Sequence, residues 1–275
     1  MKRAVEGLLV GLIGLFVVGT PRVYAVVLYD LTFNGAEVNP TTSSPLTASG
    51  EIYRENDIGP TGSGVLQPFV RLGASGIEQG YNTTGRPVPF DEDTSPFTHD
   101  LLLSAVPIFN VNGTLYREFV LDINESSGGS NALLSLDVVQ IYLSNTPSQT
   151  TTTVSSLGSP VYDLDAGGID RFVKLDYSLN SGSGSGDMRL FVPDSLFSTS
   201  YTYVYLYSKF GVQGGALGGS DGFEEWAVRT GLTCEQTNTC GGNPPVIPEP
   251  TSMLLMGTGL LACLGLGVGV SRKRV

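Results

Sequence analysis

Few residues of this chain have the types and spacing that catalysis needs. The sequence contains a single histidine, His99. One string, Gly218-Gly219-Ser220-Asp221-Gly222, matches the Gly-x-Ser-x-Gly pattern of hydrolase nucleophiles. However, it lies in a glycine-dense stretch with no helical pattern after it, and the histidine precedes the serine, whereas α/β-hydrolases place it last. We therefore interpret the string as a flexible loop and predict that the protein is not an enzyme.

Two adjacent carboxylates, Glu224 and Glu225, precede the only tryptophan, Trp226. Paired carboxylates near an aromatic ring are typical of glycoside hydrolysis. Adjacent residues of a strand point to opposite faces, so these two cannot readily act as one acid/base pair. We expect Phe223 and Trp226 to pack in the core and the glutamates to be largely solvated. A cleft with two carboxylates about 5 to 10 Å apart would instead favour a glycosidase.

Acidic loops could supply oxygen ligands for calcium, the one cofactor that we consider. The candidates are Asp163, Asp165 and Asp170, with the run Asp91-Glu92-Asp93 as a second group. The first group lacks the third alternating acid and the closing glutamate of an EF-hand loop, although Gly167 and Gly168 lie within it. Solvated loop acids are the simpler interpretation, and we assign no metal site.

An alternating row of four tyrosines is the other candidate for ligand binding. Tyr201, Tyr203, Tyr205 and Tyr207 would form a stripe about 20 Å long on one face of a strand. Aromatic faces stack on sugar rings, and tyrosine hydroxyls can bond sugar hydroxyls. Tyrosine is also a good strand former, so the row is equally compatible with structural packing.

The elements that position these residues are predicted to be strands. Residues 26 to 247 show almost no helical periodicity, and short alternating or β-branched runs are separated by loops rich in Gly, Ser, Thr, Asn and Pro. This punctuation favours an all-β fold, an antiparallel β-sandwich of jelly-roll-like type. The clearest predicted strands are 26–33, 115–123, 132–143, 169–179 and 201–210, whereas residues 34 to 100 carry weaker patterns.

The net charge of the chain limits the classes of partner that it can bind. The whole chain has a formal charge of −11, from 15 cations and 26 anions. Residues 1–25 and 248–275 hold six cations and two anions, so the middle has 9 cations and 24 anions, a net charge of −15. Such an acidic surface argues against nucleic acid and anionic polysaccharide as partners, because like charges repel. Neutral glycans and divalent cations remain compatible.

The N-terminus has the three parts of a secretory signal peptide. Lys2 and Arg3 precede an uncharged, mostly apolar run from Gly7 to Gly19, and Val23-Tyr24-Ala25 ends the segment. As a helix this 13-residue run would span about 20 Å, too short for a bilayer core of about 30 Å. We therefore predict a signal peptide over residues 1–25, cleaved by signal peptidase after Ala25, with the mature protein exported.

The C-terminus reads as a single transmembrane helix. The 21 residues from Thr251 to Ser271 carry no charge and would span about 31 Å as a helix. Arg272, Lys273 and Arg274 follow at once and favour the cytoplasmic side. Directly before the span stands Pro248-Glu249-Pro250, whose prolines favour an extended segment.

This order of Pro-Glu-Pro, Gly-rich apolar helix and basic cluster resembles the PEP-CTERM sorting signal of Gram-negative bacteria. The resemblance covers residues 248–275 and implies recognition by an exosortase, a membrane-embedded enzyme that cuts near the motif. It implies a precursor that is held transiently in the inner membrane and then reaches the cell surface or extracellular matrix. Ile247 departs from the more usual valine before the motif.

A looser resemblance runs through the middle of the chain. The segments 119–125, 136–143, 182–188 and 222–226 look like a recurrent exported β-domain that carries the same sorting signal, and this likeness implies fold and class without an active site. The predicted organisation is thus a signal peptide (1–25), a β-sandwich domain (26–232), a linker (233–247) and a sorting signal (248–275). In the exported part, Cys234 and Cys240 are the only cysteines, and export favours a disulfide between them.

Two functions are compatible with these features. The first is a non-catalytic, exported surface or matrix protein that an exosortase processes. The second is a carbohydrate-binding module for exopolysaccharide that uses the tyrosine row.

Overall fold

The computed structural model describes residues 26–40, 48–55, 66–126, 129–182, 186–220 and 222–230. The chain separates into two compact units, Met1–Gly231 and Leu232–Val275. The predicted signal peptide, the linker, the sorting signal and the cysteine pair Cys234 and Cys240 lie outside the described residues. Within the described ranges no helix is both long enough and apolar enough to span a bilayer.

The described part of the first unit is almost entirely β-structure. Its strands are β1 (Val26–Asp30), β2 (Glu37–Val38), β3 (Ile52–Glu55), β4 (Leu66–Leu72), β5 (Glu78–Tyr81), β6 (Leu101–Leu102), β7 (Ile108–Val111), β8 (Thr114–Asp122), β9 (Leu133–Ser144), β10 (Tyr162–Asp163), β11 (Asp170–Asp176), β12 (Met188–Pro193), β13 (Tyr203–Phe210) and β14 (Glu224–Arg229). Short 3-10 helices lie at Leu103–Ala105, Gly129–Ala132, Val154–Leu157, Asp194–Leu196 and Gly215–Leu217.

These strands form two seven-stranded sheets. Sheet A has the order β1-β11-β9-β13-β5, with β10 beside β9 and β6 beside β13. Sheet B has the order β2-β3-β12-β8-β14-β4, with β7 beside β8. Every pairing is antiparallel except that of β1 with β11, which is parallel. The prediction of an all-β, mainly antiparallel sandwich is confirmed.

The main core lies between the sheets because every second residue of the central strands is apolar. From sheet B it takes Phe119, Leu121 and Trp226, and from sheet A it takes Leu206 and Phe210, all fully buried. The indole nitrogen of Trp226 donates to Ser208 Oγ across the interface at 3.1 Å. Trp226 is therefore a core residue, as the sequence predicted.

A second, smaller core covers the outer face of sheet A. Its buried members are Tyr81, Tyr142, Leu157, Tyr205 and Tyr207. The chain after β5 and the chain after β9 fold over these rings and are held there by hydrogen bonds. Tyr81 donates its hydroxyl to Thr151 O at 3.0 Å, and Thr83 donates its hydroxyl to Gln149 O at 2.6 Å. Sheet A is thus covered on both faces at this point.

Candidate functional site

A polar cleft of 280 Å³ opens on the outer face of sheet B, where β4, β8 and β14 meet at one end of the sandwich. It is lined by Arg71, Asp122, Asn124, Phe223 and Glu225. Two of the segments quoted above for the looser resemblance, 119–125 and 222–226, thus meet in one place. Between them they supply all the lining residues except Arg71.

Strand register decides which side chains reach this cleft. Glu225 is paired with Asp122 of β8 on one side and with Arg71 of β4 on the other. Directly opposed residues in an antiparallel pair have Cβ atoms about 4.5 to 5.5 Å apart and project from the same face. The three charged groups therefore form a row across the outer face. The neighbours Glu224 and Trp226 point the other way, into the sandwich.

Arg71 is fixed by an ion pair and two aromatic rings. Its Nε and one terminal nitrogen lie 2.7 and 2.6 Å from the same oxygen, Oε2 of Glu225. Asp93 lies further off, at 3.9 Å. The guanidinium carbon is 3.9 Å from the ring centre of Phe97 and 5.2 Å from that of Phe223. These contacts restrain a long side chain and leave Glu225 Oε1 outside the ion pair.

Phe223 forms an aromatic wall of the cleft and is 45% exposed. Its ring lies against the backbone of Gly73, where an added Cβ would come within 2.7 Å of a ring carbon. The preceding Gly222 passes so close to the carbonyl of Asn124 that no side chain would fit there. Two glycines therefore set the position of this ring. The expectation that Phe223 packs in the core is wrong, because the register turns it outward.

The polar lining offers both donors and acceptors. Partial burial raises the pKa of Glu225, and the Arg71 guanidinium offsets part of that effect. The carboxamide of Asn124 can donate and accept, and no side-chain hydrogen bond to another described residue occupies it. Asp122, which is 6% exposed, supplies a second carboxylate beside Glu225. The cleft can thus match a ligand that both gives and receives hydrogen bonds.

Glu224 corrects another expectation, that both glutamates are largely solvated. It is 1% exposed and lies inside the sandwich against the equally buried Glu78 of β5. Burial raises the pKa of Glu224 well above its usual range, and the hydrogen bond and charge of Glu78 raise it further. Alternation along β14 turns the adjacent glutamates to opposite faces, as the sequence predicted.

The single histidine and the serine of the Gly-x-Ser-x-Gly string have separate partners. His99 directs Nδ1 to Asp100 O at 2.8 Å and Nε2 to Pro68 O at 3.0 Å. The Ser220 hydroxyl donates to Oε2 of Glu125 and accepts from the amide of Ser126 at 3.1 Å. Both side chains are engaged in holding loops, which agrees with the interpretation of the string as a loop.

The segments that cover the outer face of sheet A bury some tyrosines of the row and leave others exposed. Tyr205 and Tyr207 are 0% and 7% exposed, and Tyr203 is half-buried. The Tyr205 hydroxyl lies within hydrogen-bond distance of two acceptors, Asp100 Oδ1 and Thr146 O, and that of Tyr207 donates to Gln79 Oε1. Burial leaves Tyr205 and Tyr207 no face for a sugar ring. The row is therefore not an open sugar-stacking stripe, because two loop segments that the sequence did not reveal as a cover lie across it.

Tyr201 is the exposed member of the row and lines a second cleft, of 260 Å³. Leu102, Ser104 and Thr199 are among its other walls, and Arg117 lies at its base. Arg117 is buried and donates to the carbonyls of Leu103 and Val106, with its Nε 2.8 Å from Asp194. Its guanidinium is thus committed to holding the chain.

The calcium candidates are engaged in a loop. Asp163 accepts from the amide of Asp165 and from Gln140 Nε2, each at 3.0 Å. Asp165 accepts from the amide of Arg171 at 2.8 Å, and burial raises its pKa to about 6. Asp170 is exposed at the start of β11. Over the described ranges, no group of three or more His, Cys, Asp or Glu side chains is arranged to hold a metal ion.

Four of the five cleft residues lie in segments 119–125 and 222–226, which the sequence analysis named. None of the four was predicted to belong to a binding site. Arg71 and its stacking partner Phe97 were not singled out at all. The available signal was the order Gly222-Phe223-Glu224-Glu225-Trp226, because alternation places Phe223 and Glu225 on the face opposite the tryptophan. Comparison of the chain with protein-family models, with curated proteins and with solved structures gave no match in any of the three.

Proposed function

We propose that this chain is an exported, non-catalytic protein of the bacterial cell surface or extracellular matrix, which an exosortase processes at its C-terminal sorting signal. One observation carries the proposal. Pro248-Glu249-Pro250, an uncharged span of 21 residues and Arg272-Lys273-Arg274 follow one another at the end of a chain that begins with a signal-peptide pattern. Signal peptidase, exosortase and, transiently, the inner membrane are the partners that this order implies.

The folded domain is compatible with this destination. A sandwich of this size, with a core between its sheets and a second core on the outer face of sheet A, can fold without a metal or cofactor. The net charge of −15 between the two terminal segments favours solubility and disfavours nucleic acid. As finer features of the proposal, the sandwich is jelly-roll-like and Cys234 and Cys240 form a disulfide.

The decisive experiment is the intact mass and C-terminal sequence of the protein recovered from culture medium and envelope of a Gram-negative host with an exosortase. We expect a released form that begins at Val26 and ends near Pro248 to Pro250. The variant Glu249→Ala should remain in the membrane fraction with Arg272 to Arg274 attached. The matched variant Glu235→Ala, in the linker, should be processed normally.

A membrane-bound form of the unaltered protein that keeps Arg272 to Arg274 would contradict the sorting proposal. The tail would then be a simple anchor.

A second candidate function is carbohydrate binding. It is favoured by the cleft of Arg71, Asp122, Asn124, Phe223 and Glu225 rather than by the tyrosine row, because the cleft is open and two of the tyrosines are buried.

A further inference from the structure

The shape of the cleft on sheet B limits the size of its ligand. Its 280 Å³ lies just below the range of about 300 to 1,000 Å³ that is usual for drug-sized ligands. It therefore suits a small unit, about one ring in size, and it is open at the surface. A longer molecule could place one unit in the cleft while its remainder passes outside.

The walls are those that a sugar ring requires. Phe223 presents an aromatic face, against which the C–H face of a sugar ring can pack. Asn124 offers donors and an acceptor, and Glu225 Oε1 offers a further acceptor. A hydroxyl group both donates and accepts, so adjacent hydroxyls are best matched by such a mixture. A basic side chain would need acceptors alone, whereas Asn124 also presents donors.

The charge of the site disfavours an anionic ligand. Asp122 and Glu225 line the cleft and Asp93 lies nearby, against the single cation Arg71. An anionic sugar would meet an excess of carboxylates on a domain that is itself acidic. Arg71 is also held by Glu225 and by the rings of Phe97 and Phe223, so it is not available as a separate anion receptor.

The site is also pre-organised. The Phe223 ring rests on Gly73, Arg71 is fixed on three sides, and Glu225 and Asp122 project from paired strands. Side chains that are already restrained lose little entropy when a ligand binds. This arrangement differs from the tyrosine row, which was the sequence-based candidate.

The geometry points to a binding site for one ring of a neutral glycan in the cleft of Arg71, Asp122, Asn124, Phe223 and Glu225. Asp122 and Glu225 stand side by side in the cleft, but Glu225 is held in an ion pair by Arg71 and Asp122 is only 6% exposed, so we assign the site to binding rather than to hydrolysis. Glu225 hydrogen-bonds a sugar hydroxyl through Oε1, Phe223 packs against the ring, and Arg71 holds Glu225 in place. This inference goes beyond the proposed export and does not depend on the sorting signal.

The test is calorimetric titration of the purified full chain with cellohexaose, maltohexaose, mannohexaose and, as the anionic probe, a hexamer of galacturonic acid. We expect saturable binding of at least one neutral hexaose and weaker binding of the galacturonate. The variant Phe223→Ala should weaken binding about tenfold, a loss of about 1.4 kcal/mol. Glu225→Gln should also weaken it, since the amide replaces an acceptor by a donor.

Two controls locate the site. Phe33 is 58% exposed in the loop before β2, at the other edge of sheet B, so Phe33→Ala is the matched aromatic truncation and should leave binding unchanged. Thermal unfolding of each variant shows that the loss of binding is not a loss of fold.

Failure to bind any neutral hexaose, or tighter binding of the galacturonate, would overturn the inference. So would a loss of binding in Tyr201→Ala with normal binding in Phe223→Ala, which would place the site in the second cleft. New reducing ends in the titrated sugar would show cleavage and overturn the non-catalytic assignment. The purified chain gives these results whether or not it is sorted, so they stay separate from the export experiment.

Discussion

The outer faces of the two sheets use aromatic residues in opposite ways. On sheet A, Tyr205 and Tyr207 lie beneath the chain that follows β5 and β9, and their hydroxyls bond to residues of that cover or of the edge strand. On sheet B, Phe223 stands open beside a row of charged groups. An aromatic pattern on a strand therefore indicates which side chains share a face, whereas long-range contacts determine whether that face is core or surface.

The largest expected effect comes from truncating the covered face. Tyr205→Ala removes a fully buried ring and should lower the free energy of unfolding by about 3 to 5 kcal/mol. Tyr201→Ala, the same change at the exposed end of the row, should alter it by no more than about 0.5 kcal/mol. Urea denaturation of both variants measures the contrast. Equal effects would mean that the cover over sheet A is not formed.

Removal of a buried carboxylate from sheet B should lower the free energy of unfolding by a somewhat smaller amount. Glu118 is completely buried between Arg189 and Arg229, and its loss would leave two mostly buried guanidinium groups without their carboxylate. Glu118→Ala should therefore destabilise the domain by about 3 kcal/mol. Glu37→Ala, which removes the exposed partner of Arg54, should cost at most about 1 kcal/mol. Chemical denaturation would contradict the comparison if the two losses matched.

The third prediction concerns how the neighbours Glu224 and Glu225 contribute to the pH dependence of stability. The folded-state pKa of Glu224 is raised above its usual value of 4.5 by burial and by Glu78, so the native state binds a proton more tightly than the unfolded chain. Its contribution is fully present below about pH 4.5 and is lost as the pH rises through the folded pKa. The melting temperature should therefore fall as the pH rises above about 4.5.

Substituting each glutamate in turn shows which one causes the fall in melting temperature. Glu224→Gln should flatten the pH profile, since the site no longer titrates. Glu225→Gln should flatten it less, because Arg71 offsets the effect of burial on the Glu225 pKa. Asp187, whose pKa burial also raises, should keep part of the slope in both variants. A Glu224→Gln profile as steep as that of the unaltered protein would show that the pair with Glu78 does not titrate in this way.

The smallest change in stability is expected when a single hydroxyl that bonds to the cover over sheet A is removed. Tyr205→Phe keeps the ring but removes the hydroxyl that bonds Asp100 and Thr146, which should cost about 1 kcal/mol. Tyr201→Phe should be neutral in the same melting experiment. If Tyr205→Phe is equally neutral, the ring alone holds the cover in place.

Much of the fold could be predicted because a sheet with one buried face imposes a period of two on its sequence. The predicted strands 115–123, 132–143 and 201–210 correspond to β8, β9 and β13, each shifted by one or two residues at an end. Strands β2 to β5 lie in residues 34 to 100, where turns and short runs left the pattern weak. Alternation along β8 places Glu118 on the face opposite Phe119 and Leu121, but its complete burial depends on two arginines from other strands.

Alternation along single strands was enough to predict the all-β class, the burial of Trp226 and the opposite directions of Glu224 and Glu225. Long-range packing, by contrast, covers Tyr205 and Tyr207, brings Glu224 against Glu78 and places Arg71 and Asp122 beside Glu225. Those relations join residues far apart in the chain. They depend on strand order and register, which local periodicity does not encode.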